Sequence, residues 1–72
     1  MAVNYAYVFV CIDLDTNMCI GIETTTNPNH GDGHPELIQV PVYDEEYLFK
    51  YYINGNWYED AEGTIPWTSS LL

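Results

Sequence analysis

A small β-rich α+β domain is the fold class that this sequence predicts, and three observations indicate it. Apolar residues alternate in two segments near the N-terminus, an Asn-Gly dipeptide separates two aromatic segments near the C-terminus, and 72 residues allow one domain with one core. Hydrophobic residues make up 47% of the chain and aromatic residues 15%, which suits a packed interior. We expect two β-hairpins plus an edge strand in a small antiparallel sheet, with one short helix.

The first predicted hairpin joins strands over residues 5–14 and 18–24. Apolar side chains with period two occupy one face of these strands: Val8, Val10, Ile12, Leu14, Met18, Ile20 and Ile22. Asn17 tolerates a left-handed backbone, which favours a loop over residues 15–17 with a bulge beside it. This register makes Leu14 and Met18 a facing pair in the core.

The middle of the chain is predicted to contain a loop, a strand and a helix. Residues 24–36 carry Gly, Pro, Asn and Asp but no apolar residue, so they are expected to form a long flexible loop. Residues 37–43 alternate again, and Pro41 limits this strand to an edge because proline has no N–H to donate. Asp44 is a suitable N-cap for a short helix over about residues 45–50.

Residues 51–59 form the second predicted hairpin, with Asn54 and Gly55 in a type I′ turn. This turn sets the cross-strand pairs: Ile53 with Asn56, Tyr52 with Trp57, and Tyr51 with Tyr58. Residues 65–67 are expected to return toward the sheet, and residues 69–72 to form a loose tail of the single domain.

The charge balance excludes one class of function. Eleven acidic residues face a single basic one, Lys50, and the formal net charge is −10. Direct nucleic-acid binding is excluded because the chain lacks the cations that would displace counterions from phosphates. A basic protein surface is the expected partner. Crowded carboxylates that lack partners are also expected to have raised pKa values, so that stability falls as the pH rises through about 4 to 6.

Two sets of residues are candidate sites. Tyr and Trp dominate binding surfaces, which makes the aromatic residues of the second hairpin and its return segment a candidate protein-binding strip. Its members are Tyr51, Tyr52, Trp57, Tyr58 and Trp67. The alternative is a metal site, in which His30, Asp32 and His34 converge from the glycine-rich loop and a thiolate of Cys11 or Cys19 completes a tetrahedron.

The sequence offers no nucleophile with a base and an orienting group, so we expect neither enzymatic activity nor a cofactor. Cys11 and Cys19 are too few for a disulfide framework and are expected to be free thiols on the same face of the first hairpin. Whether they are bonded stays open. The N-terminal residues 1–4 lack the features of a signal peptide, and no segment is long and apolar enough to span a membrane.

Residues 40–67 resemble the C-terminal part of small proteins encoded in phage and prophage tail modules of Gram-positive bacteria. The shared motifs contain Pro41, Tyr43, Tyr47, Tyr51, Tyr52, Gly55, Trp57, Tyr58 and Trp67, and Tyr5 and Tyr7 match the start of those proteins. The His-containing loop is not part of the pattern. The resemblance implies a virion-associated or tail-assembly accessory protein without catalytic residues, located in the host cytoplasm or the virion.

The expected function is therefore that of a non-enzymatic phage accessory protein that binds another protein, with self-association left open. The alternative is an acidic DNA mimic that inhibits a nucleic-acid-binding protein of the host. The placement of the acidic residues distinguishes these two functions, since a DNA mimic needs its acids in a row at phosphate-like spacing. A second alternative is a small metal-binding domain built on the histidine loop.

Overall fold

The computed structural model describes residues 7–72, which form five strands and one turn of 3₁₀ helix at Glu45–Tyr47. The strands are β1 (Tyr7–Ile12), β2 (Cys19–Thr25), β3 (Leu37–Val40), β4 (Tyr51–Ile53) and β5 (Asn56–Tyr58). The start of the first predicted strand at residues 5 and 6, the Tyr5 match and the N-terminal segment 1–4 lie outside the described residues.

The predicted β-rich, antiparallel character is confirmed, but the strands form two sheets instead of a single small one. β1 lies in the centre of a three-stranded sheet of order β2-β1-β3, and β4 pairs with β5 in a separate ladder. β3 is an edge strand, as expected, but it ends at Val40, just before Pro41, so the predicted strand over residues 37–43 is three residues too long. The predicted helix over residues 45–50 is wrong in kind, because only one 3₁₀ turn forms there.

The observed first hairpin differs from the predicted one in its register, because β2 contains a β-bulge. The predicted register holds where Val10 faces Ile22. Toward the turn the register shifts, and Ile12 faces Cys19 instead of Ile20. Ile20 is thus the extra residue of the bulge. Its side chain is 52% exposed, whereas the neighbouring Cys19 is fully buried in the core.

The register shift also lengthens the turn. The backbone N–H of Asp13 donates to the carbonyl of Met18 at 2.8 Å, so the loop covers residues 14–17. Leu14 is exposed there, and the predicted core pair of Leu14 and Met18 is wrong. Asn17 has the predicted left-handed conformation, with φ of 66°.

The bulge leaves the start of β2 free to pair with the second hairpin. The backbone N–H of Cys19 donates to the carbonyl of Lys50, and the N–H of Phe49 donates to the carbonyl of Cys19, each at 2.8 Å. The N–H of Tyr52 donates to the carbonyl of Asn17 at 2.9 Å. The two sheets are therefore joined by a short backbone ladder that the sequence pattern did not predict.

Residues 26–36 cross one face of the three-stranded sheet. β2 and β3 are both antiparallel to β1 and lie on opposite sides of it, so their connection has to pass over the sheet. Gly31 makes this crossing close, because a Cβ at that position would lie 3.1 Å from Cε2 of Phe9. Phe9 is consequently buried, although it lies on the face of β1 opposite the main core.

The main core lies on the other face of β1 and is small. Its buried members are Val8, Val10, Ile12, Cys19, Val40 and Tyr47. Tyr47, at 2% exposure, reaches this core from the 3₁₀ turn, which Asp44 begins by accepting the backbone N–H of Glu46 at 2.9 Å. Phe49 follows with φ of 70°, so the helix cannot continue.

The second hairpin has the predicted register throughout. Asn54 and Gly55 have φ of 51° and 84°, as a type I′ turn requires. The observed pairs are Tyr51 with Tyr58, Tyr52 with Trp57, and Ile53 with Asn56. Residues 65–67 return alongside β5, where the N–H of Trp67 donates to the carbonyl of Trp57 at 3.0 Å.

Two matched substitutions test the position of the bulge. Ile12→Ala removes a buried side chain, and we expect it to lower the free energy of unfolding by about 2–5 kcal/mol. Ile20→Ala removes an exposed side chain, and its cost should stay below about 1 kcal/mol. Urea denaturation of both variants measures the difference. Equal losses would show that Ile20 faces the core, as the unbroken alternation predicts.

Candidate functional site

The five aromatic residues of the predicted strip are all half-buried, but they do not share one surface. Neighbours along a strand point to opposite sides of the hairpin. Tyr52, Trp57 and Trp67 pack against the core, and the Tyr51–Tyr58 pair lies on the other face of the hairpin.

The core-facing aromatic rings cluster around Tyr47. The ring of Tyr47 lies 5.0 Å from that of Trp57 and 4.9 Å from that of Trp67, both in edge-to-face geometry. Trp57 and Trp67 also meet nearly at right angles, with ring centroids 6.5 Å apart. Such contacts add roughly 0.5–1.5 kcal/mol per pair beyond the buried area. Burial, followed by the nearby charge of Asp44, raises the pKa of Tyr47.

A groove of about 460 Å³ opens beside this cluster, between β5 and the C-terminal segment. Its walls include Asn56, Trp57, Pro66, Trp67 and Leu72. We refer to it as the aromatic groove. Sequence reasoning found the two tryptophans but missed the contribution of the last residues, which were expected to form a loose tail.

Ser69 explains why the C-terminal segment forms a wall of the aromatic groove. Its side chain is buried, and its Oγ donates a hydrogen bond to Oδ2 of Asp44, the cap of the 3₁₀ turn. The backbone N–H of Leu71 donates in turn to Oγ of Ser69 at 3.1 Å. No sequence signal connects Asp44 with Ser69, because the two lie 25 positions apart.

Lys50, the single basic residue, borders the same cluster. Its Nζ lies 5.0 Å from the centroid of the Trp67 ring, within the range of a cation–π contact. Among residues 7–72 no carboxylate lies within ion-pair distance of Lys50. The cation therefore covers an aromatic face and forms no direct ion pair with a described carboxylate.

The carboxylates fall into two groups. One group is engaged within the chain by backbone N–H groups, hydroxyl groups or histidines: Asp13, Glu23, Glu36, Asp44 and Asp60. The other group lies exposed on separate turns and loops: Asp15, Asp32, Glu45, Glu46, Glu59 and Glu62. None of the exposed acids lies in a strand, and the last two lie in the loop between β5 and the return segment.

Hydrogen bonds lower the pKa of Asp44. Ser69 Oγ makes the largest contribution, and the backbone N–H of Glu46 adds to it. The positive charge of Lys50 acts in the same direction, while partial desolvation opposes it.

The pKa of Asp60 is lowered in a similar way. The hydroxyl of Thr64 donates to its Oδ2 and has the largest effect. The backbone N–H groups of Thr64 and Ile65 donate to Oδ1, each at 2.9 Å. The expected raised carboxyl pKa values are therefore not found at Asp44 and Asp60, because hydrogen-bond donors fixed by the fold outweigh desolvation at both carboxyl groups.

The structure does not gather the predicted metal ligands. His30 packs its ring edge-to-face on Phe9 at 5.3 Å and places Nε2 2.6 Å from Oε1 of Glu23. His34 instead lies beside Glu36, with Nδ1 3.3 Å from Oε2. Within the described range 7–72, no three His, Cys, Asp or Glu side chains are grouped to hold a metal ion, so the set with Asp32 does not assemble.

The two cysteines lie on opposite faces of the first hairpin, which corrects the expected shared face. Both are free. Cys19 pairs with Ile12 on the core face, where its Sγ donates to the carbonyl of Gly21 at 3.4 Å and burial raises the pKa of its thiol. Cys11 lies on the other face and borders a shallow depression. The bulge causes this separation.

A second groove, of about 680 Å³, lies beside Tyr7, Pro41 and Tyr43. It is larger than the aromatic groove, and neither groove is lined by a charged side chain. The two differ in that no tryptophan lines the second groove.

No protein-family model, curated protein or solved structure matches this chain. The resemblance of residues 40–67 to phage tail-module proteins stays a prediction. Across residues 7–72, no helix has the length and apolar character needed to cross a membrane.

The lowered pKa of Asp44 gives a pH-dependent test of its bond to Ser69. A carboxyl whose pKa is lower in the folded than in the unfolded state stabilises the fold above the unfolded value of about 3.9. That contribution disappears as the pH falls through the folded-state pKa. We therefore expect Ser69→Ala to raise the pKa of Asp44 and to reduce the loss of stability between pH 5 and pH 2.

Carboxyl ¹³C NMR titration measures the pKa of Asp44, and urea denaturation across the same pH range measures the stability. Ser70→Ala is the control, because Ser70 is exposed and adjacent. An unchanged Asp44 pKa in Ser69→Ala would contradict the assigned hydrogen bond.

Thiol labelling tests the separation of the cysteines. Under native conditions we expect an aromatic disulfide reagent to modify Cys11 rapidly and Cys19 only after unfolding, because the latter is buried and its pKa is raised. Mass spectrometry of the labelled chain locates the modification. Rapid labelling of Cys19 in the folded Cys11→Ser variant would contradict the observed register.

Proposed function

We propose that this chain is a non-enzymatic protein-binding module that uses the aromatic groove to engage a partner with a basic surface. The observation that carries the proposal is the groove itself, in which Trp57 and Trp67 are half-exposed beside a loop bearing Glu59 and Glu62. Tryptophans with polar surroundings are typical of binding surfaces.

The net charge supports the proposed partner chemistry. With Lys50 held against Trp67, no cation of the described chain is paired with the exposed acids. An approaching basic surface is attracted by the negative potential of the whole molecule and gains contact area in the groove. Acids of this kind raise the rate of encounter, whereas the aromatic contacts set the residence time.

The resemblance of residues 40–67 supports a phage or prophage setting, with the tail or tail-fibre apparatus as the site of action. The groove residues Trp57 and Trp67 belong to the matched motifs. The proposed function is thus that of an accessory protein in tail assembly, and the proposed location is the host cytoplasm or the virion.

The DNA-mimic alternative receives less support. A mimic needs carboxylates in a regular row, but the exposed acids here lie on separate turns. A mimic also depends on total charge, so that any added cation should weaken its binding by a similar factor.

Two substitutions of the same type test the proposal. Asn56→Lys places a cation at the rim of the aromatic groove, and Asn29→Lys places the same cation in the crossover loop. Both positions are exposed, and the change in net charge is identical. The immobilised variants are compared with wild type for capture of proteins from an induced lysogen, with identification by mass spectrometry.

We expect wild type and Asn29→Lys to capture the same virion protein, and Asn56→Lys to lose at least about tenfold in recovery, which corresponds to about 1.4 kcal/mol. Equal weakening of both variants, together with loss in added salt, would instead support the DNA mimic. Equal capture by all three proteins would overturn the role of the groove.

A further inference from the structure

The aromatic groove has features that limit the class of ligand it can bind. Neither indole N–H of Trp57 or Trp67 donates a hydrogen bond within residues 7–72. No buried side-chain nitrogen or oxygen in that range lacks a partner, so both indole N–H groups reach solvent. The two tryptophans that line the groove therefore each carry an indole N–H that is unpaired within residues 7–72 and reaches solvent.

The faces of the tryptophan rings are less available than their N–H groups. Lys50 lies over the ring of Trp67, and Tyr47 meets both indoles edge-to-face. A sugar needs an open aromatic face on which to stack the C–H face of its ring, and these contacts restrict such a face. A ligand that lies along the groove and accepts hydrogen bonds from the indoles suits this arrangement better.

A polyproline II segment has the required properties. It has no internal hydrogen bonds, so its carbonyl groups are free to accept, and its proline rings pack against the apolar lining that Pro66 and Leu72 provide. Its backbone is already restricted, which reduces the entropy lost on binding. The loop that joins β5 to the return segment carries Glu59 and Glu62, and the net charge of the chain is −10. Both features favour lysine or arginine next to the prolines.

Resting on the proposed function, we infer that the aromatic groove is a receptor for a proline-rich peptide segment that carries lysine or arginine. The indole N–H groups of Trp57 and Trp67 donate to its carbonyls, and the carboxylates of the adjacent loop meet its cations. The partner would accordingly present an exposed, basic, proline-rich strand or linker.

Three synthetic peptides test the inference with the full chain. The first is an octaproline with one lysine at each end, the second replaces both lysines by glutamate, and the third replaces the prolines by a glycine-serine octapeptide. The chain has two tryptophans, and both lie in the groove, so the two indole ¹H–¹⁵N signals report directly on binding there.

We expect the lysine-flanked octaproline to shift both indole signals with a dissociation constant below about 1 mM. The glutamate-flanked peptide should bind at least about tenfold more weakly, as should the glycine-serine peptide. Trp67→Phe keeps an aromatic ring but removes one donor, and we expect it to weaken binding about fivefold or more. Tyr43→Phe, an exposed residue outside the groove, should leave the affinity unchanged.

Equal binding of the glycine-serine peptide would overturn the proline preference and leave only charge attraction. Indole signals that do not respond to any peptide would also overturn the inference. If capture from the lysogen still depends on Asn56 in that case, the proposed function stands and only the ligand class is wrong. If capture does not depend on Asn56 either, the proposed function and the ligand class are both wrong.

Discussion

The β-bulge at Ile20 is the constraint on which the rest of the structure depends. By adding one residue to β2, it turns Cys19 toward the core and Ile20 toward solvent. The segment before the bulge is then free to hydrogen-bond to the chain around Lys50. These bonds connect the second hairpin to the first sheet, so that a domain of this size builds one shared core.

The aromatic groove follows from that junction. Pairing around Lys50 holds the 3₁₀ turn over the first hairpin, which places Tyr47 in the core and leaves Trp57 and Trp67 packed around its ring. The bond between Asp44 and Ser69 then fixes the last residues as a wall of the groove. Binding surface and core therefore share the same tryptophans, so substitutions there affect stability as well as recognition.

The sequence predicts those elements whose signals are local. Asn54 and Gly55 determine the turn of the second hairpin and with it every pair, and the missing N–H of Pro41 indicates the edge strand. The register of the first hairpin could not be predicted from local signals alone, because it depends on pairing with a distant segment. Gly21, next to the bulge, was the one usable signal, since glycine inside a strand often accompanies such an irregularity. The burial of Phe9 beneath a loop without apolar residues, and the contact of Ser69 with Asp44, depend on tertiary packing that no local pattern encodes.

The scarcity of basic residues has a consequence for proteolysis. Trypsin cleaves after lysine or arginine, and this chain offers it a single such residue. The carbonyl of Lys50 accepts the N–H of Cys19 within the junction between the sheets. Digestion at this peptide bond therefore requires the junction to open, and the rate of tryptic cleavage reports on the local separation of the two hairpins.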